Sequence, residues 1–279
     1  MNILVCLKRV PDTAEAAVIP DSTGKDIVKD RLTFSINEAD NYALEEALLL
    51  KEKFGGTVTL LTVGPKPFEE VLRMGLAKGA DAAIRLWDDK FINSDYFTMA
   101  KALATACLCA DLTASDLAQA DTHRQTGKTL NYNLILTGCM ATDDGYAAVG
   151  PTLAAILGIP QATYVNKIEI QDSKAKIRRE LEGGFLEVKE INLPAVLAIQ
   201  TGINTPRYPS ILGIKRAAAK EIPVLDCAAL KLTEADFSPR TILEKLYIPV
   251  VESKAEFIQG APDEISVQLT KIFKEKGLL

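Results

Sequence analysis

The residues best placed to do chemistry lie in one stretch, Gly138-Cys139-Met140-Ala141-Thr142-Asp143-Asp144-Gly145-Tyr146-Ala147-Ala148-Val149-Gly150-Pro151. It follows an apolar run, passes through glycine, and leads into small residues with helical patterning. Open α/β sheets bind ligands at such strand ends. The first turn of a helix has backbone N–H groups with no intrahelical acceptor, and these suit phosphate oxygens. Gly145, Ala147, Ala148 and Gly150 are small enough to let a phosphate come close. Asp143 and Asp144 would repel phosphate, so they are expected to cap the helix or to accept hydrogen bonds from ribose or adenine. An ordinary helix start with Asp-Gly turn chemistry accounts for the same residues.

Two more strand ends are expected at the same edge, Val5-Cys6-Leu7-Lys8-Arg9-Val10-Pro11-Asp12 and Val63-Gly64-Pro65. Cys6 and Val63 could line an adenine pocket, although a buried free cysteine commonly serves as a small core residue. Other chemistries lack their residues. There is no P-loop, no G-x-G-x-x-G after the first apolar run and no G-x-S-x-G elbow, which weakens kinase, dehydrogenase and hydrolase readings. The only histidine, His123, sits in a polar insertion over 112–130 and reads as a surface residue. No catalytic residue and no metal-ligand set is assigned. Five cysteines (Cys6, Cys107, Cys109, Cys139, Cys227) match neither zinc nor thioredoxin spacing, and their odd number fits a reduced, cytoplasmic compartment.

The elements that must position these residues follow from the hydrophobic pattern. Runs at 3–7, 57–63, 82–86 and 132–137 lack alternation and read as strands covered on both faces. Helical spacing appears at 37–54, 68–78, 94–109 and 146–157, with Gly55, Gly79 and Gly158 as stops. This alternation predicts an α/β fold with a parallel sheet flanked by helices; with the strand-end loop above, the fold is expected to be Rossmann-like and adenine-nucleotide-binding. From 163 to 199 the runs 165–170, 174–180, 185–191 and 195–199 are short and partly alternating, with turns at Asp172 and Gly183-Gly184, so an antiparallel extension is expected. Residues 202–213 read as an exposed loop and 214–220 as a short helix. The chain is read as an α/β domain over 1–222 followed by an irregular C-terminal arm over 223–279, which docks on a partner.

Composition bounds the class. Hydrophobic residues make up 48% of the chain and charged residues 25%, the balance of a globular protein with a real core. A formal charge of -5 speaks against a nucleic-acid partner. The start is charged too soon for a secretory leader, and the apolar stretch near 100–110 is broken by Lys101, so no transmembrane segment is expected.

Taken in order, these residues resemble the β subunit of electron transfer flavoproteins. The resemblance is carried by Val5 to Asp12, by Asn37-Glu38-Ala39-Asp40 with Ala43-Leu44-Glu45-Glu46-Ala47, and by the loop from Gly138 to Pro151. Gly183-Gly184, Leu193-Pro194-Ala195-Val196, Asn204-Thr205-Pro206-Arg207-Tyr208-Pro209-Ser210-Ile211 and Lys215-Arg216-Ala217 continue it through most of 1–222. The resemblance implies pairing with an α subunit that carries the redox flavin. It implies a nucleotide pocket formed by Cys6, Asn37, Asp40, Val63, Cys139, Ala141, Thr142, Asp143, Gly145, Tyr146, Ala147, Ala148, Val149 and Gly150. The occupant would be FAD, with AMP the alternative, because Ala147, Val149, Gly150 and Pro151 are closer to members that hold a second FAD and bifurcate electrons. A partner dehydrogenase would dock on Arg207, Tyr208, Ile211 and Lys215, with Ile211 as the apolar anchor and the cations steering toward an acidic surface. The chain departs from the family at Ala148, where a glutamine is usual, and at Tyr146, where a small residue is usual. The competing classes are a stand-alone adenine-nucleotide-binding regulatory domain and a nucleotide-dependent enzyme such as an ATP pyrophosphatase.

Overall fold

The run Asn-Ile-Leu-Val-Cys forms β1 (Asn2–Cys6), and its Ile3, Leu4 and Val5 are fully buried because helices cover both faces of the sheet. The computed structural model describes residues 1–13, 17–108, 130–250 and 255–279. His123 and nearly all of the expected 112–130 insertion lie outside the described residues. After β1 come a short pair, β2 (Arg9–Pro11) and β3 (Phe34–Ile36), then α1 (Glu38–Phe54), β4 (Thr57–Val63), α2 (Glu69–Lys78), β5 (Ala82–Leu86) and α3 (Tyr96–Leu108). Next are β6 (Leu134–Gly138), α4 (Val149–Leu157), β7 (Gln161–Gln171), β8 (Lys174–Glu180), β9 (Leu186–Asn192), β10 (Ala195–Ile199), α5 (Ile211–Ala219), β11 (Val224–Leu225) and α6 (Pro262–Glu275).

Among the described residues the main sheet runs β11-β5-β4-β1-β6-β10-β7-β8-β9. It is parallel from β11 to β7 and antiparallel from β7 to β9. Leu44 and Leu48 of α1 and Leu72 and Leu76 of α2 pack on one face. Leu103 of α3 and Leu153 of α4 belong to the core on the other, with Leu4, Ile84 and Ile135. The α/β architecture expected from the pattern is therefore present, with its antiparallel extension.

Three local expectations are corrected. Residues 195–199 do not belong to the antiparallel extension: β10 is parallel and sits between β6 and β7. All five of its residues are buried, so the unalternating run marks a strand covered on both faces. The helix expected from 214 begins at Ile211, because the Ser210 hydroxyl accepts from Gly213 N at 3.0 Å and caps it. The sheet also continues past Ile222: β11 pairs with β5, and Leu225, Cys227 and Leu230 are buried in the core.

The described residues form two compact units, 1–18 with 28–244 and 19–27 with 245–279. In the second, Leu246 N donates to Gly24 O at 2.8 Å, and α6 buries none of its residues. No described helix is long and apolar enough to cross a membrane.

Candidate functional site

The chain leaves β1 toward β4 and β5 on one side, while β6 lies on the other. The carboxyl ends of β1 and β6 therefore flank a topological switch point, where helices diverge and leave a crevice. A cavity of about 440 Å³ opens there, within the larger unit.

Of the residues expected from sequence, Cys6, Asn37, Asp40 and Val63 line this cavity. So do Cys139, Ala141, Tyr146, Ala147, Ala148, Val149 and Gly150. Thr142, Asp143 and Gly145 lie outside the lining and hold the loop instead. Thr142 N donates to Asn37 Oδ1 at 3.1 Å, Asp143 accepts from Lys8, and Gly145 N donates to Ala141 O at 3.0 Å.

Two buried polar side chains fix the floor. Asn37 donates from Nδ2 to Met140 O at 3.0 Å, so its amide is tied to the 138–150 loop at both atoms. Asp40 accepts from Lys8 N at 2.7 Å through one oxygen and from Gly138 N at 2.8 Å through the other. One carboxylate thus joins the ends of β1 and β6 to the first turn of α1. A side chain at Gly138 would put its Cβ 2.4 Å from Asp40 Oδ1, so only glycine permits this approach. Burial raises the Asp40 carboxyl to about 6, against the pull of the Lys8 and Gly138 N–H groups.

The loop above departs from expectation. Its helix starts at Val149 rather than Tyr146, because Gly145 (φ 66°) and Ala147 (φ 52°) are left-handed and cannot continue a helix. Asp143 and Asp144 do not cap that helix. Both bind the Lys8 ammonium at 2.6 Å, and Asp144 also accepts from Tyr146 N at 3.2 Å. Burial works against the Lys8 charge, but the two carboxylates outweigh it and raise its pKa. Ala148 gives α4 no side-chain cap, so the N–H groups of Val149 and Gly150 belong to a first turn without intrahelical acceptors. Pro151 has no N–H to satisfy.

Several lining residues escaped the sequence reading. Thr137 on β6 is buried, and its hydroxyl makes no hydrogen bond among the described residues. It stands beside the first turn of α4: a Cβ on Gly150 would lie 2.7 Å from Thr137 Oγ1. An orphaned buried hydroxyl next to uncapped N–H groups is suited to a polar, anionic ligand group. Trp87, Phe91, Tyr96 and Met99 add an apolar and aromatic wall, suited to a planar ring. The segment after β5 carried no motif, so nothing in the sequence marked this wall. Cys6 and Cys139 also face the cavity, but burial raises both thiols, that of Cys139 to about 11, so neither is a thiolate nucleophile at neutral pH.

The segment expected to dock a partner is separate. Tyr208 and Ile211 are 94% and 89% exposed, and Lys215 is exposed. Arg207 differs from its expected steering role. Its guanidinium is held by Glu45 at 2.9 Å and Glu52 at 2.6 Å, which raise its pKa further. Its charge is spent within the protein, on α1.

A crevice at the switch point of an open parallel sheet, with an uncapped helix start and an aromatic wall, belongs to an α/β fold of the nucleotide-binding type. A family model described as the electron transfer flavoprotein domain matches residues 26–230. The chain is 35% identical over 282 residues to the electron transfer flavoprotein subunit beta of Methylophilus methylotrophus, covering 99% of this chain and 98% of the relative. It is also 35% identical over 278 residues to the subunit beta of Bacillus subtilis (strain 168), covering 99% of each. To subunit CarD of the caffeyl-CoA reductase-Etf complex of Acetobacterium woodii it is 33% identical over 285 residues, covering 100% of each. The chain belongs to the electron transfer flavoprotein family.

Proposed function

We propose that the chain is the β subunit of a cytoplasmic, heterodimeric electron transfer flavoprotein. It holds FAD in the switch-point cavity and passes electrons between the flavin of its α subunit and a partner dehydrogenase. AMP is the alternative occupant, since it shares the adenylate half. The observation that carries the reading is the pairing, in one cavity, of the orphaned Thr137 hydroxyl and the α4 N-terminus with an aromatic wall. Thr137 and the N–H groups of Val149 and Gly150 would hold phosphate oxygens, while Asn37 and Asp40 hold the surrounding loops in place. A bound FAD would supply an isoalloxazine for redox chemistry or flavin-based bifurcation; AMP would supply none.

Purifying the chain with its α-type partner and counting the nucleotides released by acid tests this. Two FAD per heterodimer is the expected result, and one FAD with one AMP selects the alternative. A complex with no nucleotide beyond the α-subunit flavin contradicts the reading.

A further inference from the structure

We propose that Tyr146 and Tyr96 form an aromatic clasp across the cavity, and that stacking of this clasp on a planar ring determines how tightly a nucleotide is retained. The proposal rests on the nucleotide reading above and adds residues that decide affinity. The two rings come from different elements, Tyr96 from the start of α3 and Tyr146 from the 138–150 loop, and both line the cavity. Their centroids are 6.2 Å apart with the planes tilted by 43°. A ring stacked between two others at about 3.5 Å on each side needs about 7 Å. The clasp therefore has to open by less than 1 Å and turn one ring. Tyr146 is free to do so, being 58% exposed and outside any helix.

The backbone beneath Tyr146 is held while its ring is not. Lys8 binds Asp143 and Asp144, Asp144 takes the Tyr146 N–H, and left-handed residues on either side keep Tyr146 out of α4. A tyrosine carries a large, rigid, amphipathic ring, and leaving it more than half exposed beside an aromatic-walled cavity wastes that surface unless a ligand covers it. Stacking is tolerant of ring type, so the clasp would serve adenine or isoalloxazine.

The chain's only tryptophan, Trp87, lines the same cavity and gives a reporter confined to this site. FAD and AMP are titrated against the nucleotide-stripped full chain by Trp87 fluorescence. Tyr146→Ala should weaken binding of the retained nucleotide by about tenfold or more, with an unchanged thermal midpoint. Tyr96→Leu should show a comparable loss. Tyr146→Phe keeps the ring and should bind within about threefold of wild type. Wild-type affinity in Tyr146→Ala overturns the clasp, and so does a Tyr146→Phe loss as large as that of alanine, which would assign the effect to the hydroxyl. Failure of the wild-type chain to bind either nucleotide overturns the nucleotide reading itself, and the clasp with it.

Discussion

The cavity and the α5 segment use their polar side chains in opposite ways. In the cavity, Asp40 and Asn37 turn inward, are almost fully buried, and fix backbone groups of three segments. Around α5, Arg207 and Asn204 anchor the segment to Glu45 and Glu46 of α1, and the large apolar residues Tyr208, Ile211, Leu212 and Ile214 are left outside. A small ligand is recognised by a few donors held at fixed positions in a concave site. A macromolecular partner is recognised by apolar anchors on a firm backing, with charge at the rim. The difference teaches that anchoring polar groups can serve either end: one set shapes a concave site and the other presents a convex one.

The comparison breaks most completely at the arm. α6 buries none of its residues, and Tyr247, Ile248, Val250 and Phe257 are all exposed. Such apolar surface is expected to meet a partner. Deleting 245–279 should weaken co-purification with the α-type chain by about a hundredfold, measured by pull-down with quantified input. A truncated chain with full affinity would make the α5 segment or another surface the subunit contact.

Next in size is Asp40. Asp40→Ala strands two N–H groups in the interior, at about 1–3 kcal/mol for each, and urea unfolding should show a loss of several kcal/mol. Asp40 also sets a pH signature. Its carboxyl is raised from 3.8 to about 6, so the folded chain holds the proton more tightly than the unfolded chain does. Its contribution to stability is then full below about pH 4 and is lost as pH rises through about 6. Asp40→Asn should be less stable overall, because one carbonyl cannot serve both N–H groups, and should lack that decline between pH 4 and 6. An unchanged decline would assign the titration to another group.

At α5 the effects should fall on rate rather than stability. Ile211→Ala should slow electron transfer to the partner dehydrogenase by about tenfold, as for an apolar hot-spot residue, with stability within about 0.5 kcal/mol. A large stability loss with normal turnover would make Ile211 a core residue. The smallest contrast lies within the Arg207 network. Glu45→Gln removes a buried partner and should cost about 1–3 kcal/mol, whereas Glu52→Gln, at an exposed carboxylate, should cost under about 0.5 kcal/mol. Equal costs would show that the two carboxylates share the load.

Much of this was legible from sequence because it rests on local patterning. Unalternating apolar runs announced the parallel strands, and a glycine-bearing strand end announced the cavity. What escaped depends on long-range pairing. Lys8 meets Asp143 and Asp144 only because β1 and β6 are neighbours, though about 135 residues separate them in sequence. Thr137 is one more β-branched residue in a strand until α4 packs its Gly150 against it. Arg207 looked like free charge because Glu45 and Glu52 lie on a helix far earlier in the chain. Residues 195–199 were grouped with the hairpins by proximity in sequence, although their lack of alternation already pointed to a central strand.

The central claim is that the nucleotide sits at the switch point against the first turn of α4, and Gly150→Val tests it most directly. The new side chain would meet Thr137 Oγ1 at 2.7 Å and place methyl groups over the turn. The nucleotide content of the variant heterodimer is measured after acid release, with circular dichroism to confirm the fold. The account predicts that the α-subunit flavin remains and that the second nucleotide falls below about a tenth of the wild-type amount, as expected for loss of several contacts at once. A folded variant that keeps its full complement of both would contradict it and place the nucleotide elsewhere.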